Sequence, residues 1–147
     1  MKTNLLPLCF IVLFSLNACS QDLKKLDNTE VDSEKLKIAQ AFANDFFSGL
    51  KNDSYYEFND VAIDELKNQM SEENQKALYK QLKSQFGDFQ FLEYAETWIQ
   101  SNNKSVQINR FKGEFEKSNK KLEIRVVVND SNKIAGLWVK PWSDMLQ

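Results

Sequence analysis

The sequence predicts an α+β fold in which N-terminal helices pack on a bent four-stranded antiparallel sheet. Between Leu36 and Phe86, apolar residues recur every three or four positions, which is the period of a helix buried on one side. From Asp88 onward the apolar period becomes two, the period of a strand buried on one face. Helices followed by a series of antiparallel strands are typical of the α+β class.

Three helices are expected, and the first is the most clearly marked. It begins near Ser33, where Asp32 or Ser33 itself can cap the free backbone N–H groups. A weaker helical pattern covers 61–70. The last helix begins after Ser71, a capping residue followed by two acids, and ends at Gly87. The apolar stripe of the first helix consists of Leu36, Ala39, Ala43, Phe46 and Leu50.

Four strands are expected after the helices, joined by short polar turns. A two-residue hairpin loop at Asn119 and Lys120 would place Glu114 opposite Arg125. One face of this hairpin is charged, and we expect it to be solvated, with ion pairs that contribute little to stability. The alternative is an anion-binding or partner-binding patch. The last strand, 134–139, is apolar on both faces and should be covered on both. The charged face consists of Arg110, Lys112, Glu114, Glu116, Glu123 and Arg125.

A signal peptide is predicted at the N-terminus. Lys2 precedes an apolar run over 5–16. Because about 20 apolar residues are needed to span a bilayer, this run has the length of a signal peptide. It ends in the sequence LNACS (16–20), which resembles the lipobox of bacterial lipoproteins. The resemblance implies cleavage after Ala18 and attachment of diacylglycerol and a further acyl chain, such as palmitate, to Cys19.

The same resemblance divides the chain into three parts. Residues 1–18 would be the signal peptide, 19–32 the lipidated Cys and a flexible tether, and 33–147 a single domain. It implies a lipid-anchored protein of the bacterial cell envelope. Ser20 follows the Cys in place of the Asp associated with retention in the inner membrane, which favours the outer membrane. The membrane face and the oligomeric state stay open.

The composition excludes several classes of function. The 147 residues include no His and two Cys, and the formal net charge is −2. Without His there can be no Ser-His-Asp catalysis and no His-liganded metal. Cys9 lies in the signal and Cys19 would carry lipid, so no thiol remains for a disulfide, a nucleophile or a metal. We therefore predict no metal and no cofactor, and the charge argues against nucleic-acid binding.

Three segments of the domain resemble a known superfamily. They are 41–53, the Phe-Gly-Asp-Phe junction at 86–89, and the ending KIAGLWVKP at 133–141. With the predicted order of elements, they resemble the nuclear-transport-factor-2-like, cone-shaped superfamily. Within it the chain is most similar to a family of domains of unknown function. The resemblance implies a cone that could hold a cavity, and it brings no catalytic residues.

Aromatic residues are the main candidates for binding. They could line a pocket for a small apolar or sugar-like ligand, or form a surface for an envelope protein partner. Packing in the core is the alternative for most of them. Trp142 is the preferred interaction residue, because it follows Pro141 near the C-terminus. The candidates are Tyr55, Tyr56, Tyr94, Trp98, Trp138 and Trp142.

An enzyme of the lyase or isomerase type is the alternative function. The resemblance to the superfamily implies that such an enzyme would use a carboxylate in the cavity as a base and a Tyr as a hydrogen-bond donor. An apolar wall suits this role because it raises the pKa of a buried acid. Glu93 and Glu96 lie on opposite faces of a regular strand, so only a bulge would bring both to one face. Asp45 fits a solvent-facing helix position better than a cavity. The candidate acids are Asp45, Asp60, Asp64, Glu93 and Glu96.

Overall fold

The computed structural model describes residues 22–117 and 121–146, which form an α+β domain with helices packed on an open five-stranded antiparallel sheet. The sheet order follows the chain, β1-β2-β3-β4-β5. The predicted signal peptide and Cys19 lie outside the described residues, as do residues 118–120 of the hairpin loop between β3 and β4. The elements are β1 (Leu23–Lys25), α1 (Ser33–Lys51), α2 (Asp64–Gln69), α3 (Glu72–Phe86), β2 (Phe89–Gln100), β3 (Asn103–Phe115), β4 (Leu122–Val128) and β5 (Ile134–Pro141).

The expected count of four strands was wrong, because β1 lies in the stretch that the sequence predicted as tether. β1 pairs with the end of β2, with Leu23 opposite Gln100. Leu26, which follows it, is only 8% exposed and donates its backbone N–H to the carbonyl of Thr97 (2.9 Å). A strand of three residues is too short to produce a period in the sequence. The folded domain therefore begins before Ser33.

The helices follow the predicted caps. Asp32 accepts hydrogen bonds from the backbone N–H groups of Glu34 (2.9 Å) and Lys35 (3.2 Å) at the start of α1. Ser71 accepts one from the N–H of Asn74 (3.3 Å) at the start of α3. α3 ends at Gly87, whose φ of 78° is strained for any side chain, and a Cβ there would lie 2.9 Å from that of Glu116.

One face of the sheet, here called the inner face, packs against α1. Phe111 of β3 lies opposite Ile124 of β4, and both are fully buried in the same core as Phe46 and Phe47 of α1. The rings of Phe47 and Phe89 lie 5.5 Å apart, which joins the helix to the start of β2. The other face, here called the outer face, carries the residues that alternate with these along each strand, because successive side chains of a strand point to opposite faces.

The register of the β3–β4 pair and a bulge in β2 determine which side chains lie on the outer face. Arg110, not Glu114, lies opposite Arg125, so the predicted register of the β3–β4 hairpin was wrong by four residues. The loop between Phe115 and Leu122 is longer than the two residues assumed. In β2 the register shifts between Tyr94 and Glu96, which is the bulge that the sequence left open.

Candidate functional site

The outer face contains a buried ion network centred on Arg110. The side chains of Arg110 and Glu123 are 0% exposed. Arg110 donates from Nε to Glu123 Oε1 (3.0 Å) and from Nη2 to Glu123 Oε2 (2.9 Å), a bidentate pair. Its Nη1 donates to Glu96 Oε1. The bulge in β2 makes this possible, because it turns Glu96 to the face on which Glu93 also lies, opposite Lys112.

Further cations surround the two carboxylates. Arg125 donates from Nε to Glu123 Oε1 (2.7 Å), and Lys140 Nζ lies 3.9 Å from Glu123 Oε2. Lys25 of β1 lies 2.6 Å from Glu96 Oε2. All five strands therefore contribute a charged side chain to the network on this face, and β2 contributes Glu96.

The network keeps both carboxyl groups ionised. Burial alone would raise the pKa of Glu123, but the hydrogen bond from Arg110 and the charge of Arg125 outweigh it and hold the pKa below the ordinary value of 4.5. Burial is likewise outweighed at Glu96, where hydrogen bonds from Lys25, Trp98 and Arg110 lower the pKa. Neither group has the raised pKa that a general base of the predicted kind needs.

The C-terminal segment covers Arg110. The guanidinium carbon lies 4.4 Å from the ring centroid of Trp142, and Lys112 Nζ lies 4.7 Å from the same ring. The carbonyl of Ser143 accepts a hydrogen bond from Arg110 Nη2 (2.6 Å). Trp142 is held by its backbone N–H, which donates to the carbonyl of Lys121 (3.1 Å), and by its Nε1, which donates to Asp144 Oδ1 (3.0 Å). Trp142 therefore packs over the Arg110 guanidinium and covers this part of the network.

An apolar recess of about 230 Å³ lies towards the other end of the outer face. Trp138 forms one wall, and its ring lies against Gly136, where a Cβ would come within 2.2 Å of the ring. Gly136 is therefore required for this position of the ring. The apolar lining consists of Ile63, Val106, Ile108, Val127, Ala135 and Trp138.

The predicted aromatic residues do not form one pocket. Trp98, Trp138 and Trp142 share the outer face, where Trp98 Nε1 donates to Glu96 Oε1 (2.9 Å). Tyr94 points to the inner face, and its OH is 3.0 Å from Thr97 Oγ1. Thr97 Oγ1 in turn donates to Asn109 Oδ1 (3.0 Å). This inner-face chain is neutral, so it could bind a polar group but supplies no acid or base.

Tyr55 and Tyr56 lie at a separate groove of about 580 Å³, formed by the loop that follows α1, by α2 and by the start of α3. The Tyr56 ring packs against Phe42 (5.2 Å) and Phe58 (5.1 Å), and burial raises the pKa of its phenol. The loop is fixed by Gln75, whose amide bonds both the N–H and the carbonyl of Tyr56. The groove is also lined by the charged side chains of Glu57, Lys67 and Glu72, and the Tyr56 ring is part of the aromatic packing below it.

The candidate acids of the enzyme hypothesis are not brought together with a Tyr in the core. Asp45, Asp60 and Asp64 are exposed. Glu93 is also exposed and lies 3.3 Å from Lys121 Nζ, while Glu96 belongs to the outer-face network. Within 22–117 and 121–146, none of these five acids lies in the core between α1 and the sheet.

Sequence reasoning missed the importance of Arg110, Glu123 and Glu96. It treated their face as solvated, whereas the C-terminal segment and the neighbouring strands bury it. One signal was available: the chain has only two Arg among 19 basic residues, and both lie on this face. Arg is preferred over Lys where a buried carboxylate is bound by two hydrogen bonds.

Comparison with known proteins identifies a family. In the part of the chain that the structure describes, no group of three or more acidic, His or Cys side chains could hold a metal ion, and no helix has the length and apolarity needed to cross a bilayer. No curated protein and no solved structure matches the chain. A family model matches residues 43–137, more than half of the chain, from α1 to β5. The chain therefore belongs to the family described as Protein of unknown function (DUF3887).

Proposed function

We propose that the chain is a lipid-anchored protein of the bacterial envelope, held at the outer membrane, whose domain binds an apolar group of a partner protein or small ligand on its outer face. The observation that supports binding is the contrast between the two faces. Aromatic and aliphatic side chains fill the core below the inner face, whereas the outer face has an apolar recess beside Trp138. We also propose that the domain is a small cone of the nuclear-transport-factor-2-like superfamily.

The size of the recess favours a small apolar group. Pockets for whole drug-sized ligands have volumes of about 300–1,000 Å³, and this recess has about 230 Å³. An aliphatic or aromatic side chain fits such a volume, and burying one is worth about 1.5–3 kcal/mol. We therefore favour a partner's side chain over a larger free ligand. The ion network beside the recess would hold the strands that form its wall in place, and that side chain would pack on this wall.

Crosslinking in intact cells tests the binding proposal. A photo-crosslinking residue at Ala135, on the rim of the recess, should form a specific adduct, whereas the same probe at the exposed Lys80 on α3 should not. The added substitution Gly136→Ala should displace the Trp138 ring and reduce the Ala135 adduct at least several-fold. An adduct that is absent, or that Gly136→Ala leaves unchanged, would contradict binding at the recess.

The proposed anchor depends on Cys19. Two or more acyl chains hold a protein stably at a membrane, because each buried methylene adds about 0.8 kcal/mol. Cys19→Ser should release the protein from the membrane fraction, and Cys9→Ser, in the apolar run, is the matched control and should leave it bound. Mass spectrometry of the N-terminal peptide should find acyl chains at residue 19. Unchanged membrane association of Cys19→Ser would refute the anchor.

A further inference from the structure

We infer that one end of the sheet, formed by the β2–β3 and β4–β5 turns, is held against the lipid headgroups of the bilayer. This inference depends on the lipid anchor of the proposed function. It adds an orientation, and it names the bilayer surface as the partner of these two turns. Three observations carry it: where β1 lies, how firmly β1 is attached, and what the turns present.

The position of β1 shortens the tether. Asp22, the first described residue, accepts a hydrogen bond at its carbonyl from the backbone N–H of Ser101 (2.8 Å). Cys19 precedes Asp22 by three residues, which can span at most about 11 Å. Had the fold begun at Ser33, the 14 residues from Cys19 could span at most about 50 Å. A lipidated Cys19 would therefore keep the β2–β3 turn close to the membrane.

β1 is attached well enough to maintain this distance. β1 pairs with β2, and Lys25 Nζ of β1 lies 2.6 Å from Oε2 of Glu96 in the buried network. Leu26 is buried, and its backbone N–H donates a hydrogen bond to the carbonyl of Thr97. Asp32 donates its N–H to Gln107 Oε1 (2.7 Å) on β3. The segment from β1 to α1 therefore contacts the sheet at both of its ends.

The strand register decides which end faces the bilayer. β1 begins opposite Gln100, and at the same end Gln107 lies opposite Val128, next to the β4–β5 turn. The other end of the sheet is marked by Phe89 opposite Phe115. β2 has 12 residues, so the two ends are about 36–40 Å apart. Only one of them lies within reach of Cys19.

The side chains of these turns suit contact with headgroups and not insertion. Ser101, Asn102 and Ser131 of the turns, and Lys104 at the start of β3, are exposed, and their side chains can donate hydrogen bonds to phosphate and ester oxygens. Asp130 is the exposed acid among them. Because the apolar recess is lined in part by Asn103 and Asn129 of the same turns, its mouth would open next to the bilayer surface.

Fluorescence quenching measures this orientation. The lipidated protein would be reconstituted in phosphatidylethanolamine–phosphatidylglycerol vesicles that contain a lipid with a nitroxide on its headgroup. A fluorophore is attached to Asn102→Cys at the β2–β3 turn or, as a matched exposed control at the far end, to Lys117→Cys. We expect quenching at residue 102 to be at least threefold stronger than at residue 117. Both substitutions replace exposed turn residues, and far-UV circular dichroism would verify that both variants are folded.

A spacer variant separates the inference from the anchor. Ten Gly and Ser residues inserted between Gln21 and Asp22 should abolish the difference between the two labels while the protein still sediments with the vesicles. Equal quenching at 102 and 117 in the sedimenting protein without the spacer would overturn the orientation and leave the anchor intact. An unchanged difference in the spacer variant would overturn the argument from tether length. Failure of acylated protein to sediment would overturn the anchor and the orientation with it.

Discussion

The two faces of the sheet are built from alternate residues of the same strands, yet different forces hold them. On the inner face, Phe111 and Ile124 are buried by apolar contact with α1. On the outer face, Arg110 and Glu123 are equally buried, and their charges are satisfied by each other and by neighbouring groups. Arg110 and Phe111 are adjacent in β3, so the same backbone supports both kinds of interior.

The comparison teaches that burial alone does not reveal what a side chain contributes. A buried apolar ring stabilises through transfer from water and through packing, and its removal leaves a cavity that the surrounding structure fills only in part. Both partners of a buried ion pair lose their hydration, and their mutual attraction offsets this cost. The net contribution of the pair to stability is therefore small, while the loss of one partner is costly. Substitutions on the two faces should therefore differ in whether a second substitution can rescue them.

The largest effect is expected from Phe111→Ala on the inner face. The fully buried ring packs beside Tyr94 and below α1, and its loss should lower the free energy of unfolding by about 3–5 kcal/mol. Phe91→Ala is the matched control, because Phe91 is 53% exposed and should change stability by less than about 1 kcal/mol. Urea denaturation followed by tryptophan fluorescence measures both. Equal effects at the two positions would contradict the assignment of faces.

Arg110→Met should cost slightly less, about 3 kcal/mol, because it leaves Glu123 buried without its bidentate partner. The effect lies at the lower end of the usual range, since Arg125 and Lys140 still lie close to Glu123. The double variant Arg110→Met, Glu123→Leu removes the stranded charge and should recover most of the loss. A double variant no more stable than the single one would show that the network stabilises the fold outright.

The inner face, with Phe111, and the outer face, with Arg110, also differ in how far the sequence predicts them. The inner face could be predicted because the apolar period and the helix caps agree: Asp32, Ser71 and Gly87 all act as expected. The outer face could not, because alternation of charged residues is the same for a solvated face and for one covered by a distant segment. Trp142 and Ser143 are more than 30 residues from Arg110 in the chain, and no local rule connects them.

The pH dependence of stability should separate the faces further. The folded-state pKa values of Glu96 and Glu123 are lowered, so the stability from the network is present above the ordinary value of 4.5 and is lost as the pH falls through the folded-state values. Urea midpoints measured from pH 7 to pH 3 should decline more steeply in the wild type than in the Arg110→Met, Glu123→Leu double variant. Phe111→Leu, as control, should lower the whole curve and keep its slope. Parallel curves for the wild type and the double variant would contradict the lowered pKa values.

The smallest effect is expected from Trp142→Ala, which removes the cover and keeps the network. The ring faces the guanidinium of Arg110 and the ammonium of Lys112, and such contacts are worth about 0.5–2 kcal/mol. Trp142→Phe keeps an aromatic face over Arg110 and should retain about half of this stability, whereas Trp142→Leu keeps only the apolar volume and should behave more like Ala. Urea denaturation compares the three variants. If Leu stabilises as well as Phe, then Trp142 acts by excluding water from the ion pair and not through its aromatic ring, and the outer face resembles the inner face more closely than its charges indicate.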